Sequence, residues 1–151
     1  MELKDIIEES NKTATEKGFW EDYENSIKKM KNLPKHFSEQ DIERIKIAFY
    51  NEKISLISSE LGEATEAMRN DKFYKGGNEA LNDLLRMSDG TNGLYPSTYV
   101  THVKDTFEDE IADSFIRLCD LCHKMNIDIE IFIKLKLEYN KRRNERHGKK
   151  F

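Results

Sequence analysis

Hydrophobic positions along this chain recur mostly at the three- and four-residue spacing of amphipathic helices. This spacing predicts a first helix over about residues 3–15. Ser38, a residue type that caps helices, predicts the start of a long helix that runs to about residue 70, with a kink or split near Asn51. A further helix is predicted over about residues 107–122. The pattern is therefore that of a helical chain.

Three stretches depart from this simple pattern. Residues 19–23 are an aromatic cluster that we expect in a loop or turn. Residues 71–105 are rich in glycine and polar turn residues and predict an irregular insertion, with one short helix over about residues 78–87. Residues 128–146 alternate as a strand does, but the run is about twice the usual strand length and has no partner strand. A helix that begins at Asp128 is favoured there.

Composition supports an all-α fold class. The chain has 151 residues, of which 37% are hydrophobic, and this suffices for one core and a single domain over residues 1–151. Two prolines and seven glycines leave few turns for an all-β fold. Charged residues reach 36%, which favours long helices with solvated faces. We therefore expect a helical bundle.

The distribution of charge limits the partners. The net charge is −4, with six basic residues and one acid in residues 141–151, so the rest of the chain is strongly acidic. A nucleic-acid polymer would need a basic face across the fold, and we expect no such partner. Apolar runs are short, residues 1–5 do not resemble a signal peptide, and two cysteines make no disulfide framework. We expect a cytoplasmic protein without a membrane partner.

One carboxylate stands where a core residue is expected. On a helical projection of residues 42–70, Glu60 falls near the middle of the apolar arc and Glu63 at its edge. An ionised carboxylate that faces a core is unfavourable unless a cation or several donors compensate it. Lys53 lies two turns earlier and points the same way. A buried ion pair of Glu60 with Lys53 is the simplest interpretation.

A second pair of acids favours a metal site instead. Glu110 and Asp113 are three residues apart on the helix predicted over residues 107–122, so both lie on one face. Two such helices packed antiparallel bring four carboxylates together, and these cannot all stay ionised without a cation. Oxygen ligands without histidine or cysteine favour Mg²⁺, or Mn²⁺, over zinc and copper. The predicted metal ligands are Glu60, Glu63, Glu110 and Asp113.

Two segments carry a resemblance to a known family. They read KISLISSELGEATEAMR at residues 53–69 and FEDEIADSFIRLCDL at residues 107–121, and they resemble the two metal-binding helices of the MazG-like all-α nucleoside triphosphate pyrophosphohydrolases. Residues 16–20 and the tail at residues 136–151 resemble the beginning and the end of one branch of that family. The chain departs from the family pattern E-E-x-x-E at Ser59, which replaces the first glutamate.

The resemblance implies an enzyme: a Mg²⁺-dependent hydrolase that cleaves a nucleoside triphosphate, as ribo- or deoxynucleotide, into the monophosphate and pyrophosphate. It also implies a homodimer or homotetramer of helical subunits, and a role in cleaning the nucleotide pool. Glu60, Glu63, Glu110 and Asp113 match the family's metal ligands, and Glu63 is our choice for the catalytic base. Hydrolysis of dUTP or of phosphoribosyl-ATP, and a helical module that binds nucleotides or partners without catalysis, remain alternatives.

Other residues are candidates for binding the substrate. Lys53, Lys136, Asn140 and Arg143 are predicted to neutralise the phosphates, and His147 joins them through the resemblance of the tail alone. Trp20, with its neighbour Phe19, is predicted to stack on the base. Hydrophobic packing that closes a turn is the other interpretation of Trp20.

Overall fold

The protein is all-helical over the residues that the computed structural model describes, 1–88 and 93–142, and no strand occurs in them. The all-α prediction is therefore confirmed. No helix in the described ranges is both long enough and apolar enough to span a membrane. The elements are α1 (Leu3–Glu16), α2 (Glu21–Lys31), α3 (Glu39–Arg69), α4 (Asn78–Ser88), α5 (Leu94–His102), α6 (Phe107–Lys124) and α7 (Ile129–Lys141).

The longest helix, α3, starts where its capping residue predicts. The Ser38 hydroxyl accepts a hydrogen bond from the backbone N–H of Asp41 at 3.2 Å, and the Asp41 carboxylate accepts one from the backbone N–H of Ser38 at 2.9 Å. The helix then runs for 31 residues without interruption. The split predicted near Asn51 is wrong. The helix is continuous there, because no proline removes a backbone hydrogen bond.

Helices α3 and α6 pack against each other in antiparallel directions, as predicted. At one end, the backbone N–H of Phe107 donates to the carbonyl of Lys72 at 2.8 Å, just after α3 ends. Further along, Arg117 of α6 contacts Glu60 of α3 at 2.7 Å. Later residues of α6 thus lie beside earlier residues of α3. Helix α1 packs on α6 and α2 packs on α3, so the α3–α6 pair is the centre of the bundle.

The aromatic segment after α1 is only partly a turn. Gly18 adopts a φ of +80°, which glycine tolerates, and the chain turns there through Trp20. The loop prediction is wrong for residues 21–23, because α2 begins at Glu21. Acids in the first turn of α2 and three lysines in its last turn suit the helix dipole. This charge pattern is the signal in the sequence that indicates α2.

Trp20 anchors the turn in the core. Its side chain is 1% exposed and packs with Ala14 and Leu121. The indole N–H lies 2.9 and 3.0 Å from the two carboxylate oxygens of Asp120, which also accepts a hydrogen bond from Asn11 at 2.8 Å. The buried carboxylate therefore joins α1, the turn and α6.

The insertion at residues 71–105 is more regular than predicted. The short helix expected over residues 78–87 is confirmed as α4. The stretch after it contains a second helix, α5, where only turns were expected. Pro96 lies in the first turn of α5, where a backbone N–H has no helical partner, so this proline does not oppose the helix. Helices α4 and α5 pack against each other.

Removing the indole N–H tests the role of Trp20. We expect Trp20→Phe to lower the free energy of unfolding by about 1–3 kcal/mol, because the buried Asp120 loses a donor and the core loses volume. Chemical denaturation measures this change. Phe19→Leu is the control, since Phe19 is 57% exposed, and we expect it to change stability by less than about 0.5 kcal/mol. Equal losses in the two variants would contradict the anchoring role.

Candidate metal centre and adjoining cavity

Three of the predicted metal ligands meet at the interface of α3 and α6. One carboxylate oxygen from each of Glu60, Glu110 and Asp113 lies within 4.8 Å of the others. We call these residues the three-acid cluster. Glu60 and Glu110 are 7% and 6% exposed, whereas Asp113 is exposed to solvent. Two buried acids and one exposed acid form a site that the packed helices hold in place and that solvent can reach.

The electrostatics of the cluster favour a proton or a cation. Burial, followed by the charges of Glu63 and Glu60, raises the pKa of Glu110 to about 7. Burial and the charges of Asp109 and Glu60 also raise the pKa of Asp113, against the opposing effect of Arg117. Negative charge is thus concentrated at a site where two of the three carboxylates are buried.

Glu63, the predicted catalytic base, lies beside the cluster and not in it. It is exposed on α3, one turn after Glu60. Its charge is the second contribution, after burial, to the raised pKa of Glu110, so the two carboxylates are neighbours. The structure therefore brings three of the four predicted ligands together and leaves the fourth at the edge.

The cation that pairs with Glu60 is Arg117, and the predicted pair with Lys53 is wrong. Arg117 Nε lies 2.7 Å from Glu60 Oε1. The Lys53 ammonium instead donates to the backbone carbonyl of Phe19 at 2.8 Å, because α3 presents this lysine to the turn after α1. Arg117 follows Asp113 by four residues on α6, and this spacing is the signal that sequence reasoning missed.

Asp109 is a second residue that sequence reasoning missed. It is 7% exposed and stands next to Glu110 in the chain. Its carboxylate accepts hydrogen bonds from the Tyr99 hydroxyl and from the backbone N–H of Asp105, the latter at 2.9 Å. Burial and the hydrogen bond to Asp109 raise the pKa of Tyr99, so its hydroxyl stays protonated as a donor. These contacts tie α5 to the start of α6, beside the acids.

A cavity of about 240 Å³ adjoins the cluster. It lies between α1, the turn after it, α3 and α6, and Asp113 belongs both to its wall and to the three-acid cluster. The wall is mainly apolar, with hydroxyl and charged groups at several points. It is lined by Ser10, Thr13, Ala14, Phe19, Lys53, Leu56, Asp113, Ile116, Arg117 and Asp120.

The predicted stacking role of Trp20 is wrong. At 1% exposed, its indole has no face open to a base, and the ammonium groups of Lys53 and Lys124 each lie 5.0 Å from the centre of its ring. The alternative interpretation, hydrophobic packing at a turn, is confirmed. Phe19 is 57% exposed and lines the cavity, so it is the aromatic residue available there.

Two other predicted phosphate ligands, Lys136 and Asn140, lie away from the site. Lys136 and Asn140 are exposed on α7, which the structure does not place beside the cavity or the three-acid cluster. The Lys136 ammonium lies 5.1 Å from the ring centre of Tyr139 on the same helix. Arg143 and His147 lie outside the described residues.

The fold and the site together define an all-helical protein with a carboxylate cluster between two antiparallel helices. No protein-family model, curated protein or solved structure matches this chain. The function proposed below therefore rests on the residues and the geometry of the chain.

The raised pKa of Glu110 makes metal-free stability depend on pH. The folded state holds the proton up to about pH 7, whereas the ordinary value is 4.5, so stability is greatest below about pH 4.5 for this group and falls as pH rises through 7. Glu110→Gln removes the titrating carboxylate. We expect its free energy of unfolding, relative to that of wild type, to be about 1–2 kcal/mol higher at pH 8.5 than at pH 5.5.

Chemical denaturation in EDTA at the two pH values measures this difference. Glu79→Gln, which removes an exposed acid on α4, is the control and is expected to show no such dependence. If the two variants respond equally to pH, Glu110 does not have the raised pKa.

Proposed function

We propose that this protein is a divalent-metal-dependent nucleoside triphosphate pyrophosphohydrolase of the MazG-like all-α kind. Its products would be a nucleoside monophosphate and pyrophosphate. The observation that carries the proposal is the convergence of Glu60, Glu110 and Asp113 from two helices at a largely buried position. Packing alone gives no reason to bury two carboxylates side by side.

The donor set fits Mg²⁺ or Mn²⁺. All three groups offer oxygen, and no histidine or cysteine belongs to the three-acid cluster. Mg²⁺ binds oxygen at about 2 Å, so two ligands of one ion lie at most about 4 Å apart. The separation of up to 4.8 Å needs only a small side-chain adjustment to reach that value.

Phosphoryl transfer depends more on position and charge than on covalent chemistry. When bound, the cation would neutralise phosphate oxygens and lower the pKa of a coordinated water. Glu63, exposed at the edge of the cluster, would accept the proton of the attacking water at its carboxylate. Lys53 lines the adjoining cavity and brings positive charge toward the phosphates, whereas Lys136 and Asn140 remain on α7.

The cavity supports a nucleotide as the substrate. Its volume of about 240 Å³ is below the range of about 300–1,000 Å³ for sites that hold drug-sized ligands, so it suits a base and not a whole nucleotide. The Phe19 ring offers a stacking surface, and the hydroxyls of Ser10 and Thr13 offer hydrogen bonds to a base edge. Asp113 links the cavity to the acids, where the phosphates would lie.

Two related activities share this chemistry. Hydrolysis of dUTP or of phosphoribosyl-ATP would use the same acids with a different organic group in the cavity. A panel of ribo- and deoxynucleoside triphosphates, with detection of released pyrophosphate, distinguishes these substrates.

A helical interaction module is the second candidate function, and exposed apolar surface favours it. Helix α3 presents four apolar side chains at intervals of seven residues, each about half exposed, and we call this set the α3 stripe. Association into a homodimer or homotetramer would cover this surface, and it is compatible with either function. The stripe consists of Ile47, Ile54, Leu61 and Met68.

Loss of one buried acid tests the metal site. We expect Glu60→Gln to reduce pyrophosphate release by about 100-fold or more, because an amide is a poor ligand for Mg²⁺, and to abolish any rise in melting temperature caused by Mg²⁺ or Mn²⁺. Glu66→Gln, an exposed position on the same helix, is the matched control and should keep both properties. Full activity in Glu60→Gln would exclude the proposed site.

Narrowing the cavity tests the site of the base. Ile116 is 45% exposed at the cavity wall, so Ile116→Phe adds volume there with little effect on the core. We expect the KM for the nucleotide to rise about tenfold, since a filled pocket excludes the base, while the metal-induced shift in melting temperature stays unchanged. Leu85→Phe on α4 is the control, because Leu85 is also exposed and does not line the cavity. An unchanged KM in Ile116→Phe would show that the base binds outside this cavity.

A further inference from the structure

The ion pair of Glu60 with Arg117 differs from most others in the described chain. Most of those pairs join exposed residues three or four positions apart on one helix. This pair joins α3 to α6 at 2.7 Å, with the Glu60 side chain 9% exposed and the Arg117 side chain 37% exposed. A buried carboxylate that loses its partner is strongly destabilising, so Arg117 compensates the charge of Glu60.

The same carboxylate belongs to the three-acid cluster. A guanidinium and a divalent cation that share one carboxylate stand only a few ångströms apart and repel each other where the dielectric is low. A divalent cation at the cluster would therefore weaken the binding of Arg117 to Glu60, and Arg117 would weaken that of the cation.

We infer that Arg117 is a built-in counter-ion of Glu60. A divalent cation would displace Arg117, which then binds a substrate phosphate between the three-acid cluster and the adjoining cavity. Arg117 already lines that cavity together with Lys53 and Asp113. A guanidinium presents five N–H donors in a planar fork that matches phosphate oxygens. Its side chain is partly exposed, so it has room to turn from the carboxylate toward a phosphate.

The displacement of Arg117 links the three-acid cluster to the adjoining cavity. Before metal binds, Arg117 is engaged by Glu60, and the cavity lacks a free guanidinium. After metal binds, the same group is available to the substrate. The cation therefore increases the affinity for nucleotide through Arg117 as well as through its own charge, and the inference rests on the proposed function for the identity of the metal and the nucleotide.

Mn²⁺ binding without nucleotide tests the competition directly. Isothermal titration of the whole chain with Mn²⁺ compares wild type, Arg117→Gln and Arg117→Lys. We expect Arg117→Gln to lower the melting temperature of the metal-free protein and to bind Mn²⁺ about three- to tenfold more tightly, because the competing cation is gone. Arg117→Lys keeps the charge without the fork, and its affinity should lie between those of the other two proteins.

The control is Arg69→Gln, which removes an exposed arginine that pairs with Glu66 at 3.7 Å on α3. It should leave the affinity for Mn²⁺ unchanged. A purely structural Arg117 would lower the melting temperature without tightening Mn²⁺ binding, and that result would overturn the inference. A second measurement is the Kd of a non-hydrolysable nucleoside triphosphate in saturating Mn²⁺, which should weaken about tenfold in Arg117→Gln.

The outcomes separate this inference from the proposed function. If wild type binds Mn²⁺, Glu60→Gln does not, and Arg117→Gln shows no tighter binding, the metal site stands and the counter-ion role is overturned. If wild type binds no Mn²⁺, the proposed function and the inference both fall.

Discussion

The structure depends on how it compensates carboxylates that the bundle removes from water. Glu60 and Glu110 are buried at the contact between α3 and α6, where a core does not tolerate an ionised carboxylate alone. Arg117 meets part of this requirement, while burial and the neighbouring charges of Glu63 and Glu60 raise the pKa of Glu110. Under the proposed function, a divalent cation would supply the missing positive charge.

The buried carboxylate of Asp120 is compensated in a different way. Neutral donors from Trp20 and Asn11 satisfy it, so it needs no cation and acts as a structural joint. The joint holds the turn after α1 against α6 and thereby forms one side of the cavity, with Phe19 at its wall. Two acids on one helix, Asp113 and Asp120, therefore have different roles because their partners differ.

Two helices expose large apolar side chains at the surface. The α3 stripe exposes four large apolar side chains, and α7 exposes more along its length. A stripe with a seven-residue period follows one side of a helix and suits a partner helix packed alongside. Leu61 of the stripe adjoins Glu60 in the chain, so a contact at that point would lie near the three-acid cluster.

Much of the helical framework was predictable from local patterns. Apolar spacing located α1, α3 and α6, and the capping residues Ser38 and Asp128 marked where α3 and α7 begin. The helices α2 and α5 were missed. The aromatic residues before α2 and the proline in α5 are typical of turns, and only the structure shows that this proline lies in the first turn of a helix. Helix α7 was separated from a strand by its length, by the lack of a partner strand, by helical apolar spacing and by its capping residue Asp128. These signals are local because helix hydrogen bonds join residues close in the chain.

By itself, the sequence determined that Glu60 faces inward and that Glu110 and Asp113 share one side of a helix, since both follow from helical periodicity. Only the tertiary structure decided which cation meets Glu60 and that the Trp20 indole is sealed in the core. The reason is physical. Side chains that are far apart in the chain meet according to the angle and offset at which two helices pack, and periodicity carries no information on that offset.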